Sequence, residues 1–191
     1  MIDYNAYAST YDNRYKSDMC ERENAAVKEL LERYGVKDKN VLDVGCGTGY
    51  SLDISDIKRY KGIDISKEMI AQARKKHPDK KFTLRKVASS KWKSGICDCV
   101  LCLFSIPYIQ TEAVNAIYRI LKKDGICICV YYNKPYLNPN SVYGNDKETY
   151  EEDVEPNVQA VIERFRGKFW TIEDHRLTPD ETYTVSVFRK D

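Results

Sequence analysis

The stretch Val41-Leu42-Asp43-Val44-Gly45-Cys46-Gly47-Thr48-Gly49 is an apolar strand that runs into three alternating glycines, and a second apolar segment follows, ending Gly62-Ile63-Asp64-Ile65-Ser66. Glycines at alternate positions tolerate positive φ and let a ligand approach the main chain, which suits a sharp strand-to-helix turn. An acid closing the neighbouring strand is placed to accept hydrogen bonds from a ribose. Together the two segments describe a nucleoside-bearing ligand lying across the carboxyl ends of a parallel sheet.

The glycine spacing narrows the ligand. A dinucleotide fingerprint, G-x-G-x-x-G, would need its third glycine at position 50, where Tyr50 stands. A phosphate-cradling loop would need Lys and then Ser or Thr after the last glycine, whereas Tyr50-Ser51-Leu52 follow Gly49. What remains is a site with Asp43 two residues before the first glycine, suited to a positively charged group or its water and not to a pyrophosphate. S-adenosylmethionine, with an amino acid end, a ribose and an adenine, fits that description.

Asp43-Val44-Gly45-Cys46-Gly47-Thr48-Gly49 resembles the first motif of class I S-adenosylmethionine-dependent methyltransferases, and Gly62-Ile63-Asp64-Ile65-Ser66-Lys67-Glu68-Met69-Ile70 resembles their second. Cys97-Asp98-Cys99-Val100 stands where that family has Phe-Asp-x-Val, and Tyr118-Arg119-Ile120-Leu121-Lys122-Lys123-Asp124-Gly125 resembles its Arg-x-Leu-Lys-Pro-Gly-Gly turn. The resemblance implies an α/β, Rossmann-like, doubly wound and mostly parallel seven-stranded sheet with a terminal antiparallel β-hairpin and helices on both faces. It implies that Gly45, Cys46, Gly47 and Gly49 border the methionine moiety through backbone groups, with Asp43 near its ammonium. Asp64 would take the ribose hydroxyls, Ile65 and Met69 would touch the adenine, and Phe104 would join the cofactor contacts. Many members carry an acid after the third strand; here Val87-Ala88-Ser89-Ser90 replaces it, so the Ala88 backbone or the Ser89 hydroxyl is expected to read the adenine. Asp124 replaces a usual glycine, in a turn that Asp can occupy.

Tyr4, Tyr7, Tyr11 and Tyr15 share one side of the chain if the segment is helical. The stripe either packs on the sheet or forms an aromatic lid. Tyr4 to Asp12 resembles the amino-terminal arm of small-molecule methyltransferases, where the tyrosine matching Tyr11 borders the cofactor and its ring is attracted to the sulfonium. Ser105-Ile106-Pro107-Tyr108 resembles the Asn/Asp/Ser-x-Pro-Tyr motif of base-modifying amino-methyltransferases. It lies seven residues after Asp98, later than in that class, so substrate contact by Tyr108 is preferred to base methylation. Tyr7, Tyr132 and His175 complete the substrate-facing candidates, while His77 beside Pro78 reads as a surface turn. No catalytic side chain is assigned, because a sulfonium methyl is already electrophilic and the protein mainly has to align the nucleophile and exclude water.

The 191 residues favour one domain, with residues 1–20 as the tyrosine-rich arm and 133–157 as a substrate cover longer than an ordinary connection. With 31 basic and 29 acidic residues, no strong field exists to hold a nucleic acid. No apolar run reaches about 18 residues and the amino terminus is polar, so a cytoplasmic protein away from membranes is expected. Cys97 and Cys99 would share one strand face, as would Cys127 and Cys129, which leaves a zinc site open. No Cys-x-x-Cys pairs have finger-like spacing, however, so reduced core thiols and no metal are expected.

A helix is predicted over 21–34, ending at Gly35. Strands are predicted at about 40–44, 59–64, 81–87, 97–104 and 125–132, with helices starting near Ser51, Ser66 and Thr111. Another helix runs through Val154 to Phe165, and a hairpin has arms at about 168–177 and 182–189. The resulting expectation is an S-adenosylmethionine-dependent methyltransferase acting on an oxygen, nitrogen or carbon of a small-molecule acceptor, as a monomer or homodimer. The alternatives are an enzyme modifying an RNA base or a protein side chain, and a cofactor-binding regulator without turnover.

Overall fold

The computed structural model describes residues 4–12, 18–89, 92–132, 155–177 and 183–191. Its strands are β1 (Asn40–Val44), β2 (Arg59–Asp64), β3 (Lys81–Leu84), β4 (Cys97–Leu103), β5 (Leu121–Tyr132), β6 (Trp170–Arg176) and β7 (Tyr183–Arg189). Its helices are α1 (Tyr4–Tyr7), α2 (Asp18–Arg33), α3 (Tyr50–Ile54), α4 (Lys67–Lys76), α5 (Thr111–Ile120) and α6 (Glu155–Arg166). The strands form one sheet in the order β3-β2-β1-β4-β5-β7-β6. The first five are parallel, whereas β7 runs antiparallel to both β5 and β6.

The helical periodicity of the sequence becomes two packed layers. On one face α2 and α4 bring Val27, Leu30, Leu31, Ile70 and Ala73 onto Leu101, Ile128, Val130, Val185 and Val187. On the other, α5 and α6 bring Val114, Ile117, Val161 and Phe165 onto Val100, Cys127, Cys129 and Phe188. Tyr183 to Phe188 are all buried, because β7 has a neighbour on each side and a helical layer on each face. The alternation read in this strand therefore separates two cores and not core from solvent. Gly35, with φ 59°, ends α2 after one more turn, and Ser66 caps α4 by accepting from Met69 N at 3.1 Å.

Two strand boundaries differ by three residues or more from the sequence reading, and one register differs as well. The third strand stops at Leu84, three residues early: it is an edge strand, and a turn in which Ser89 N donates to Lys86 O at 3.3 Å takes over. The fifth strand starts at Leu121 instead of 125, because Leu121 pairs with Cys97 before the main register begins at Ile126. A register shift between Cys97 and Cys99 sends their thiols into opposite cores. The two do not share a face, since one irregularity in a ladder inverts the alternation beyond it.

Asp124 holds a left-handed φ of 58°, and its N–H donates to Lys190 O at 3.2 Å. A non-glycine residue there costs about 1–2 kcal/mol, offset in part by the roughly 0.5–1 kcal/mol entropy cost of glycine. Asp124→Gly is expected to stabilise the fold by about 0.5–1 kcal/mol, read as a higher urea midpoint; an unchanged or lower midpoint would show that Asp124 carries no strain.

Candidate active site

The glycine turn after β1 uses its donors internally. Gly45 N and Cys46 N both donate to Ile63 O, at 2.8 and 3.0 Å, Gly49 N donates to Cys46 O at 2.9 Å, and Gly47 N donates to Asp64 Oδ2 at 2.9 Å. Phosphate-binding turns aim such N–H groups outward at the anion. This one instead spends these four donors inside the protein. All three glycines have positive φ, 71°, 53° and 94°. A Cβ on Gly45 would lie 2.4 Å from Ser105 Cβ, whereas nothing stands within 4 Å of one on Gly47. The turn is thus jammed against the end of β4 on one side and open at Gly47. A Cβ on Gly49 would meet His77 Cδ2 at 2.7 Å. His77 is half-buried and lies 3.2 Å from Asp53, so it packs on the turn and is no surface residue.

The two acids take different places. Asp64 bridges the turn to α4, with Oδ2 on Gly47 N and Oδ1 accepting from Ser66 N at 2.8 Å. Although Ser66 caps α4 with its hydroxyl, both oxygens of this carboxylate also carry backbone donors. Its two oxygens offer about four lone-pair sites, so room remains for hydroxyl donors. Burial pushes its carboxyl above the usual carboxylate range, against the pull of the Ser66, Gly47 and Ile65 N–H groups. Asp43 is only 3 % exposed, and its Oδ2 accepts from Ser51 Oγ at 2.5 Å and Tyr60 OH at 2.9 Å. Burial pushes it up to about 7, opposed by the Ser51 and Tyr60 hydrogen bonds. It supports the turn from within the core.

The remaining cofactor candidates divide by exposure. Ile65 is 56 % exposed and Met69 2 %, so Ile65 faces open space while Met69 packs beneath it. Cys46 is buried and offers only its backbone. Ala88 is exposed and Ser89 half-buried, in the turn after β3. Phe104 holds φ 60° at the end of β4 and donates its N–H to Val130 O at 2.7 Å. Residues held in this region cost about 1–3 kcal/mol and cluster at functional sites.

The arm folds over this end of the sheet. Asn5 Oδ1 accepts from Ser66 Oγ at 2.8 Å and Glu68 N at 3.3 Å, Asp12 accepts from Thr48 Oγ1 at 2.6 Å and Lys76 Nζ at 2.7 Å, and Tyr4 OH donates to Tyr108 OH at 2.6 Å. Helix α1 is only four residues long and ends at Tyr7, before Tyr11. Tyr11 stands edge-on to Tyr4, with centroids 6.2 Å apart. The side chain of Tyr7, all of Tyr15, and residues 133–154 of the expected cover lie outside the described residues.

Two other candidates are relocated. Ser105 is buried and its Oγ donates to Val44 O at 2.6 Å; it clamps β4 to β1. His175 lies on exposed β6, where Nε2 contacts Glu173 and Nδ1 contacts Arg176 O at 2.7 Å. Arg33 and Tyr34 of α2 meet the same Glu173. Four strand spacings separate β6 from β1, about 19 Å, so His175 does not join the glycine turn. The Sγ atoms of Cys102, Cys127 and Cys129 lie within 4.8 Å of one another, a grouping the sequence pairs did not indicate, and all three are fully buried.

The structure also joins the expected candidates Phe104 and Tyr132 to residues that sequence reasoning missed, Tyr50 and Tyr183. Tyr50, Phe104, Tyr132 and Tyr183 form a continuous aromatic wall at the carboxyl ends of β4 and β5, with neighbouring centroids 4.6–5.9 Å apart. Asn24 and Glu23 of α2 accept the hydroxyls of Tyr50 and Tyr183, at 2.7 and 3.1 Å. An acid one turn before Val27 on the apolar stripe of α2 was the available signal for Glu23.

Comparison with known proteins agrees with this arrangement. A family model described as a methyltransferase domain matches residues 42–129, which span the glycine turn, Asp64 and the end of β4. The chain is 24 % identical over 182 residues to the Campylobacter jejuni ubiquinone/menaquinone biosynthesis C-methyltransferase UbiE, covering 87 % of this chain and 76 % of that one. These matches support a class I S-adenosylmethionine-dependent methyltransferase. A Chlorobaculum tepidum demethylmenaquinone methyltransferase is 27 % identical over 145 residues, 73 % of this chain and 59 % of the relative. The fold matches the crystal structure of a putative S-adenosyl-L-methionine-dependent methyltransferase from Methanococcus maripaludis with a TM-score of 0.71 at 20 % identity, covering 100 % and 95 % of the two chains. Among the described residues, no helix of this methyltransferase is long and apolar enough to cross a membrane.

The buried state of Asp43 makes a pH prediction. Its folded value near 7 exceeds the ordinary value of about 3.9, so the folded chain holds this proton more tightly and Asp43 becomes destabilising as pH rises from about 4 to about 7. Between pH 5 and pH 8 the wild type should lose about 2–3 kcal/mol relative to Asp43→Asn in urea unfolding. Parallel pH profiles for the two proteins would refute the assignment.

Proposed function

We propose that this methyltransferase transfers the methyl group of S-adenosylmethionine to an oxygen, nitrogen or carbon atom of a small molecule held at the carboxyl ends of β4 and β5. The observation that carries the cofactor half is the internal use of the Gly45, Cys46, Gly47 and Gly49 N–H groups, which leaves no anion nest for a phosphate and favours a ligand with an aminoacyl end. The open space beside Gly47 and the exposed Ile65 give the methionine and adenine ends somewhere to lie. Asp64, already fixed by two backbone donors, would accept the ribose hydroxyls on its remaining lone pairs. Ala88 and Ser89 stand at the end of the adenine position.

When bound, S-adenosylmethionine supplies an electrophilic methyl whose carbon–sulfur bond breaks as the acceptor's new bond forms, sulfur keeping the electron pair. The chain's own residues hold, orient and exclude water. The arm from Tyr4 to Asp12, tied to Ser66, Thr48, Lys76 and Tyr108, would act as a cover over the cofactor, with Tyr11 beside it. Tyr108 and Tyr132, and Tyr7 on the same arm, would border the acceptor. The quinone C-methyltransferases among the relatives support a small-molecule acceptor.

Calorimetric titration tests the cofactor site. S-adenosylmethionine and S-adenosylhomocysteine should bind with micromolar affinity, roughly 7–8 kcal/mol, and Asp64→Ala should weaken both at least about tenfold, or ~1.4 kcal/mol. Affinity unchanged by Asp64→Ala would remove the ribose assignment, and no binding by the wild type would remove the proposed function.

A further inference from the structure

The aromatic wall at the carboxyl ends of β4 and β5 meets a buried acid that lies outside the proposed cofactor contacts. Glu23 is 7 % exposed, and its Oε2 accepts from Tyr183 OH at 3.1 Å. Tyr183 is itself buried, with its ring 4.6 Å from that of Tyr132 and 5.2 Å from that of Phe104. Phe104 continues the wall to Tyr50, at 5.7 Å, next to the glycine turn. Tyr50, Phe104 and Tyr132 remain half-buried despite this mutual packing, so each keeps a side turned to solvent at the carboxyl ends of the strands. That is where the sheet order reverses between β1 and β4, the usual position of ligands in open α/β sheets.

Resting on the methyltransferase reading above, we infer that the methyl acceptor is a small organic amine, bound as its ammonium against the Tyr50–Phe104–Tyr132–Tyr183 wall and selected by the carboxylate of Glu23. Aromatic faces attract cations, more strongly when both are desolvated. A carboxylate buried beside them adds a field that water screens little, and it penalises phenolate or carboxylate acceptors by like-charge repulsion. An ammonium has no lone pair and must lose a proton before it can attack. Glu23 receives it through Tyr183: an N–H bond of the ammonium breaks as an O–H bond forms at the phenol oxygen, and the phenol's own proton passes to Oε2. The nitrogen keeps the electron pair of the broken bond, and the positive charge of the ammonium cancels the negative charge of the carboxylate. Glu23 is thus a positioning residue acting through Tyr183.

The test uses the full chain saturated with S-adenosylhomocysteine, titrated calorimetrically with primary amines from ethylamine to phenethylamine and with alcohols of the same carbon skeletons. At least one amine should bind tenfold or more tightly than its matched alcohol. Glu23→Gln should collapse that ratio to near unity while leaving S-adenosylhomocysteine affinity and far-UV circular dichroism unchanged, and Glu23→Asp should keep a preference for the amine. Methyl transfer to the preferred amine should rise with pH in Glu23→Gln over a range where the wild type is already fast. No amine binding better than its alcohol, or a preference that survives Glu23→Gln, would overturn the inference. With S-adenosylhomocysteine still bound, either result leaves the methyltransferase reading standing; loss of cofactor binding in the wild type would instead strike that reading.

Discussion

The carboxylate of Asp64 holds the two pieces of chain on which the cofactor site depends. One oxygen takes the N–H of Gly47 and the other that of Ser66, so the glycine turn after β1 and the start of α4 are fixed to one rigid group at the end of β2. A charged acceptor strengthens both bonds, and the same burial that raises its carboxyl makes losing either donor expensive. The turn can then direct its other N–H groups inward to Ile63 and Cys46. With those donors spent inside the protein, it does not form the outward nest of N–H groups that a phosphate requires.

A second constraint comes from the close approach of β1 and β4. Ser105 donates to Val44 O and sits where any side chain on Gly45 would have to go. The clamp sets the left-handed Phe104 just before it, and Phe104 in turn carries the rings of Tyr50, Tyr132 and Tyr183. Cofactor turn and aromatic wall are therefore linked through two residues at the end of one strand. The arm closes the assembly by bonding to the glycine turn, to both ends of α4 and to Tyr108.

Much of this was legible in the chain because it is local. Alternating glycines, an acid closing a strand and a serine before α4 each act within a few residues, and apolar periodicity places α2, α4 and α5 without knowledge of their partners. Errors arose where a partner mattered. Cys97 and Cys99 were paired by strand spacing, but a ladder irregularity against β5 separates them. Asp43 reads as a ligand to an ammonium until Tyr60 and Ser51 occupy it. His175 carries no signal of its position in sequence; the strand order places it on the edge strand, away from the glycine turn.

The sequence by itself determined the α/β class, the strand-turn-helix that can hold a nucleoside and the unsuitability of that turn for a pyrophosphate, since these depend on backbone freedom and spacing along one segment. Only the tertiary structure decided which donors the turn consumes, which acid supports it and which reaches it, and that an acid from α2 meets Tyr183 in an aromatic wall gathered from distant segments. Those relations join residues as far apart as Glu23 and Tyr183. Hydrogen-bond pairing and burial between distant segments are properties of the assembled sheet, and no local pattern encodes them.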